Sequence, residues 1–252
     1  MSEQQKPSIW QRLFLYLIFA DLLIIAIGIA GRMLLDWQPL TSFHLYFYGA
    51  QIALVLAALG LLQLLYGLYR KQASHKSAGA LTMLLGLSPL LLAVFSVGIS
   101  GFKAPMIHDV STDLDNPPIF SITNSLRTAE ENSLDYAGEE IAKKQRSAFP
   151  NIQTFHSDIP PAEARKLALK TIEALNWVLI VDDGSTSSIE AYDKSSVFGF
   201  IDDVVIRIRP NEGGSKIDVR SVSRVGLGDL GANANRIRLF LSTFDNIHSN
   251  AG

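Results

Sequence analysis

Three long apolar runs constrain this chain more than any other feature. Leu13–Ala30 spans 18 residues and is broken only by Asp21. Leu45–Leu68 spans 24 residues and carries Gln51 and Gln63, and Leu81–Gly101 spans 21 with no charged side chain. A helix needs roughly 20 apolar residues to cross the hydrocarbon core. A helix apolar on every face belongs in a membrane or in the core of a large protein. The runs therefore predict three transmembrane helices, near residues 13–31, 45–68 and 81–101. The first is longer than the ~7–15 residue apolar region of a signal peptide. It reads as a span rather than a cleaved leader, although Gly28-Ile29-Ala30-Gly31 has the small residues of a cleavage context.

Composition divides at the same place. Residues 1–102 hold 6 Lys/Arg and 3 Asp/Glu, whereas residues 103–252 hold 16 and 21. Soluble domains carry about 25% charged residues, so the second part has ordinary density and the first does not. The second part is net acidic, which argues against nucleic acid as a partner, since such domains are normally basic. With no cysteine, disulfides, thiolate metal sites and cysteine nucleophiles are excluded. Basic residues flanking the spans set the expected orientation. Lys6, Arg12, Arg70, Lys71 and Lys76 fall on one side, and Arg32 and Lys103 on the other. The tail and the second loop are thus expected in the cytoplasm and residues 103–252 outside it.

A carboxylate in mid-membrane is costly and needs a partner or a proton. Asp21 therefore reads either as part of a proton or ion pathway or as a hydrogen-bond anchor between helices, with Ser88 of the third span at similar depth. The anchor is the favoured reading, because the spans carry no other charge with which to build a path. Gly49, Ala53 and Ala57 form a small-residue ridge on the second span, suited to close helix contact.

Residues 103–150 read as a linker with a short helix near its end, where Glu139/Lys143 and Glu140/Lys144 make favourable i, i+4 pairs. Pro117-Pro118 forbids helix before it. Residues 151–252 read as a compact α+β domain. A short strand at Ile152–His156 precedes a helix opened by Pro160-Pro161, a strand at Trp177–Val181, a turn at Asp182–Ser185, and a strand at Ser188–Asp193. Phe198–Ile208 alternates, with Phe198, Phe200, Val204, Ile206 and Ile208 on one face and Asp203, Arg207 and Arg209 on the other. After the turn Pro210–Gly214, Ile217, Val219, Ser221, Ser223 and Val225 oppose Lys216, Asp218, Arg220 and Arg224. The two strands form a hairpin whose apolar faces must coincide, setting Arg207 opposite Asp218. A last helix carries the stripe Leu230, Ala234, Ile237, Leu241 and Phe244. The expected fold class is α+β: a three-helix transmembrane anchor, then an antiparallel sheet with helices on one face, in the order strand, helix, four strands, helix.

Several residues in this second part resemble a known family. They are Phe198-Gly199-Phe200-Ile201-Asp202-Asp203-Val204-Val205-Ile206-Arg207, Asp218–Gly226, Asp229-Leu230-Gly231-Ala232-Asn233, and the earlier Ile107–Asp113 with Pro117-Pro118. Together they are similar to domain-of-unknown-function family 1499 over roughly residues 107–246. The resemblance implies a mostly bacterial membrane or envelope protein and no established activity. With the charge bias, it leads to the expectation of a multi-pass protein of a bacterial inner membrane with a periplasmic C-terminal domain.

Candidate chemistry is sparse. Arg207, Arg209, Arg220, Arg224, Arg236 and Arg238 are six of twelve arginines, all within 32 residues. Guanidinium forks suit carboxylates and phosphates, so an anionic ligand or lipid headgroup is one reading, and a solvated sheet face with cross-strand ion pairs is the other. Asp202 falls on the apolar face and needs a partner, with Arg224 and Asn233 as candidates. The candidate ligand-binding set is Asp202, Asp203, Arg207, Asp218, Arg220, Arg224, Asp229 and Asn233. His108, Asp109, Asp113 and Asp115 carry donors at cation-ligand spacing, or form an acidic surface segment. Gly226–Gly231 precedes a helix, where Asp229 reads better as a cap than the glycines do as a phosphate cradle. No catalytic or cofactor motif is present, and no cofactor is expected. Three functions follow as expectations: a membrane protein whose outer domain binds an envelope partner or an anionic or lipidic ligand; an enzyme on an anionic envelope substrate using Asp202 or Asp203 with Arg220 and Arg224; or a structural subunit of a membrane complex.

Overall fold

The computed structural model describes residues 9–181 and 188–250. They form two compact units, one of the N-terminal helices with residues 196–199, the other of the remaining C-terminal residues. The first holds α1 (Ile9–Leu35), α2 (Pro39–Tyr69) and α3 (Ala73–Gly101), each long and apolar enough to cross a membrane. Glycine sets the spacing between α2 and α3. A Cβ on Gly79 would lie 2.4 Å from the Leu64 amide nitrogen, and one on Gly86 2.5 Å from the Ala53 carbonyl oxygen. The ridge expected on α2 is buried at Gly49, Ala53 and Ala57. It serves two neighbours, since Gly49 faces Ile25 of α1 while Ala53 and Ala57 meet Gly86 of α3.

Pro89 lies inside α3. Its missing N–H leaves the Leu85 carbonyl without a helical donor, and the Ser88 hydroxyl donates to that oxygen at 2.7 Å. Ser88 thus repairs its own helix. The Pro89 carbonyl accepts from the Tyr46 hydroxyl of α2 at 2.6 Å. Gly98 breaks the helix near its end with φ 69°, a conformation that costs glycine little.

The second unit is a six-stranded antiparallel sheet with four helices. Its elements are β1 (Asp109–Ser111), α4 (Thr123–Leu126), α5 (Glu139–Ala148), β2 (Phe155–Ser157), α6 (Pro161–Ala174), β3 (Val178–Val181), β4 (Ser188–Lys194), β5 (Ile201–Asn211), β6 (Gly214–Ser223) and α7 (Ala232–Ser249). The order is β1-β6-β5-β4-β3, with β2 also paired to β6. From β2 onward this is the expected strand, helix, four strands, helix. The turn expected at Asp182–Ser185 lies outside the described residues. The hairpin register is the one required by the apolar faces: Val204 pairs with Ser221, Ile206 with Val219, Ile208 with Ile217, and Arg207 with Asp218. The strands run further than expected, through Asn211 and from Gly214, so the turn is the two residues Glu212-Gly213. Gly213 takes φ 81° there.

Helices α6 and α7 cover the even-numbered face of β5. Val204, Ile206, Ile208, Ile217 and Val219 pack with Ala164, Leu167, Ala168, Ile237, Phe240 and Phe244 in one core. Trp177 stacks on Phe240 at 5.6 Å. The stripe on α7 begins later than expected, because Leu230 has φ 54° and is exposed, and Phe240 carries the central contact instead. On α5, Lys144 pairs with Glu140 as expected, but Glu139 pairs with Arg146 rather than Lys143.

If glycine sets the α2–α3 distance, Gly86→Val must push the two backbones apart. Overpacking of this kind costs about 1–3 kcal/mol. Thermal unfolding of the detergent-solubilised chain, followed by circular dichroism, is expected to shift down accordingly.

Candidate functional site

Alternation sends Asp203, Val205, Arg207 and Arg209 of β5, and their partners Asp218, Arg220 and Val222 of β6, to one face of the sheet, named the odd face after the numbering of β5. That face is buried, not solvated. Asp203, Val205, Asp218 and Val222 are inaccessible and Arg220 is 2% exposed. The cover is the irregular stretch of residues 112–136, through Phe120 and Leu134, which pack on Val205 and Val222.

A buried charge must be paired and hydrogen-bonded, and each one here is. Asp109 of β1 accepts two bonds from Arg220, at 3.0 and 2.7 Å. The same guanidinium donates to the carbonyls of Pro118 and Leu134 and lies between the rings of Phe120 and Tyr136, at 5.5 and 5.3 Å. Burial and the Asp109 charge push the Tyr136 hydroxyl up to about 12. Asp203 takes Arg224 in bidentate fashion, at 3.0 and 2.9 Å, and Arg127 at 2.7 Å. Arg127 also reaches the carbonyls of Asn132 and Val222, tying the cover to β6.

Asp218 accepts from Arg207 at 3.0 Å, from Arg209 at 2.6 Å and from the Thr154 hydroxyl at 2.6 Å. Asp113 shares both arginines, at 3.0 and 3.1 Å. Burial pushes the Asp218 carboxyl up, but Thr154 and Arg207 outweigh it and hold the group below its ordinary value. Glu190 of β4 is inaccessible and receives the amides and hydroxyls of Ser121 and Thr123, at 2.5–2.8 Å, with the Ile122 amide at 3.2 Å. Desolvation raises this carboxyl too, and the donors again bring it below its usual range. Gln145 closes the outer edge of β1: its side-chain amide accepts from the Ser111 N–H at 3.0 Å and donates to the Ser111 carbonyl at 2.6 Å.

A second network lies on the helix side. Asp202 pairs with Arg236 of α7 at 2.7 Å, and Arg236 also binds Asp193 at 3.0 Å. Neither expected partner, Arg224 nor Asn233, reaches Asp202, because Arg224 lies on the opposite face and Asn233 bonds Ser221, Ser223 and the His108 carbonyl. Asp229 behaves as a helix cap. Its carboxylate accepts the N–H groups of Gly231 at 2.8 Å and Asn233 at 2.7 Å. Burial raises its pKa against those bonds, and the nearby Asp202 adds to the rise.

The eight candidate ligand residues therefore separate into two networks on opposite faces of the sheet. Asp203, Arg207, Asp218, Arg220 and Arg224 hold the cover, and Asp202, Asp229 and Asn233 hold the start of α7. His108, Asp109 and Asp113 do not converge: Asp109 goes to Arg220, Asp113 to Arg207 and Arg209, and Asp115 projects to solvent with Arg146 at 3.7 Å. Among the described residues no three His, Cys, Asp or Glu side chains are placed to hold a metal ion. Ser88 is not the partner of Asp21, whose Oδ2 is buried without one. Glu190, Arg127, Asp193 and Gln145 were not among the expected residues. Glu190 carried a signal, as a charge on a strand whose neighbours alternate, whereas Arg127 lies in a stretch with no period.

This unit contains a cleft of about 600 Å³. It is walled by Thr112 and Asp113 after β1, by Gln145, Arg146 and Phe149 of and after α5, and by Gln153, Thr154 and His156 leading into β2. Its floor adjoins the Asp218 cluster through Asp113 and Thr154. At the rim, Arg146, Gln153 and His156 keep polar groups in reach of solvent. Such a mixture of hydrogen-bond donors, acceptors and one aromatic ring suits recognition of a polar group.

The family model described as a protein of unknown function, DUF1499, matches residues 109–244. The match starts at β1 and ends in α7, so it contains the sheet, its cover and both ion-pair networks. None of the curated proteins compared with the chain matches it.

Asp203→Asn removes the buried counter-charge of two partly buried arginines, Arg127 and Arg224. Loss of one partner of a buried pair costs about 3–5 kcal/mol, and urea unfolding of the full chain, read by tryptophan fluorescence, is expected to show a loss of that order. The acid limb follows from Glu190 and Asp218. Both titrate below their ordinary values in the fold, so on acidification the unfolded chain takes up protons first. Their stabilisation is present above about pH 4–4.5 and is lost as the pH falls through that range and below. Unfolding midpoints measured from pH 7 to pH 3 are expected to fall mainly below pH 5, and less so in Glu190→Gln.

Proposed function

The chain belongs to the DUF1499 family, and from that premise we propose that it is a membrane-anchored binding protein whose family domain recognises an envelope partner or an anionic ligand at the membrane surface. The observation that carries this reading is the cleft between β1, α5 and β2. The arginines of the odd face are consumed by Asp109, Asp113, Asp203 and Asp218, so they serve the fold. Arg146, exposed and paired at the surface with Glu139, lines with Gln153, Thr154 and His156 a concave surface of about 600 Å³, within the range of ligand sites. Binding is favoured over catalysis, since Arg220, Asp202 and Asp203 are held in buried ion pairs.

The proposed setting is a bacterial inner membrane. Five basic residues against two at the ends of the spans support a cytoplasmic N-terminus and a periplasmic family domain. An alkaline phosphatase fused after Gly252 is expected to be active, and an inactive fusion would reverse the orientation.

The binding reading is tested by purifying the full chain in a mild detergent and identifying what it retains by native mass spectrometry. A stoichiometric protein or anionic molecule is expected to be retained and to be lost from Arg146→Ala and His156→Ala, with melting temperatures unchanged. Retention unaffected by both substitutions would remove the cleft from consideration.

A further inference from the structure

Within the helical unit, α1 and α2 leave a groove of about 300 Å³ between them. Its walls are Asp21 and Ile24 of α1 and Thr41, His44, Tyr48 and Ile52 of α2. The α2 residues recur every three or four positions and so share one helix face. Opposite Asp21, α2 has Gly49, where even a Cβ would come within 3.5 Å of Asp21 Oδ1. The missing side chain leaves the carboxyl facing the groove. Asp21 itself is 5% exposed, and its Oδ2 has no hydrogen-bond partner.

This is an incomplete electrostatic arrangement. A carboxylate in a membrane span needs a counter-charge or a proton; of the basic side chains of α1, Arg12 lies about two and a half turns away towards the start of the helix and Arg32 is engaged by Asp36. The titratable groups that share the groove are His44 and Tyr48, whose rings lie 5.9 Å apart. Ile24, Tyr48 and Ile52 are about half exposed on the outer surface of the helices, so the groove opens sideways towards lipid. A ligand that completes it therefore carries positive charge, an apolar body, and access from the bilayer.

We propose that this groove binds a lipophilic organic cation, with Asp21 as counter-ion and the ring of Tyr48 packed against the charged centre. An aromatic face attracts a desolvated cation, and the aliphatic walls of Ile24 and Ile52 accept its apolar substituents. The site lies in the other unit from the cleft, so either proposal can fail without the other.

The experiment uses the full chain in mild detergent and tetraphenylphosphonium as the probe, with binding measured by equilibrium dialysis. Saturable, stoichiometric binding is expected, weakened about tenfold or more by Asp21→Asn and retained by Asp21→Glu. Tetraphenylsilane, of the same shape without charge, is expected not to compete. Equal binding by Asp21→Asn, equal competition by the silane, or no saturable binding by a chain with intact helical circular dichroism would each overturn the proposal. Should Asp21→Asn not fold, Tyr48→Leu, at an exposed position, carries the test: affinity is expected to fall several-fold, and unchanged affinity would count against the site.

Discussion

Arg220 brings a full charge into the interior of the sheet domain, and the organisation of the odd face depends on how that charge is met. The Asp109 carboxylate meets it in bidentate geometry, two carbonyls of the covering stretch take further N–H groups, and two aromatic rings enclose the guanidinium. Each partner comes from a segment that has little regular structure of its own. Asp109 belongs to a three-residue strand, and Pro118, Phe120, Leu134 and Tyr136 to irregular backbone. A stretch with only one four-residue helix and few ladder bonds must satisfy most of its amides and carbonyls elsewhere. Glu190 and Arg220 do this from the sheet side, and Arg127 from within the cover. Buried ion pairs add less net stability than their geometry suggests, because desolvation offsets the attraction. Their effect here is positional: they define where the cover lies.

That division explains which parts of the fold could be read in advance. The period of two in β5 and β6 separates the faces, and the penalty for a one-residue slip determines the register, so Arg207 opposite Asp218 follows from pattern alone. The same reasoning assigns Asp203, Arg220 and Arg224 to one face but says nothing about what covers it. Residues 112–136 have no apolar period, two adjacent prolines and scattered polar side chains. They read as linker, yet Phe120 and Leu134 bury Val205 and Val222. Asp202 shows the complementary limit. Its need for a partner was legible from its position on the apolar face, but the partner, Arg236, lies 34 residues away on a helix whose rotation no local pattern specifies.

The helical unit obeys a different physics. Lipid provides no hydrophobic drive between helices, so close packing and hydrogen bonds determine the contacts. Gly60, Gly79 and Gly86 bring α2 and α3 to backbone contact, and the small-residue ridge on α2 was visible as a spacing. The role of Ser88 was not, although its cause sits next to it in the sequence. Pro89 removes a donor, the Leu85 carbonyl is left open, and a hydroxyl one residue away fills the vacancy more readily than a carboxyl on another helix. Asp21 is thereby left with the groove.

The residues that carry the family resemblance bear on function in an indirect way. Asp109, Asp113, Asp202, Asp203, Arg207, Asp218, Arg220, Arg224, Asp229 and Asn233 all lie in those motifs, and all are engaged inside the domain by ion pairs or hydrogen bonds. Such a set specifies a sheet, a cover fastened to one face and a helix fastened to the other. It does not specify a ligand, because its charges already have partners and little exposure. The cleft proposed above as a binding surface draws Arg146, Gln153 and His156 from outside the motifs. The recognition proposed for this domain therefore rests on side chains other than those that identify its family. Charge at the rim of the cleft, rather than the richer charge beneath the cover, is where selectivity between ligands would be physically expressed.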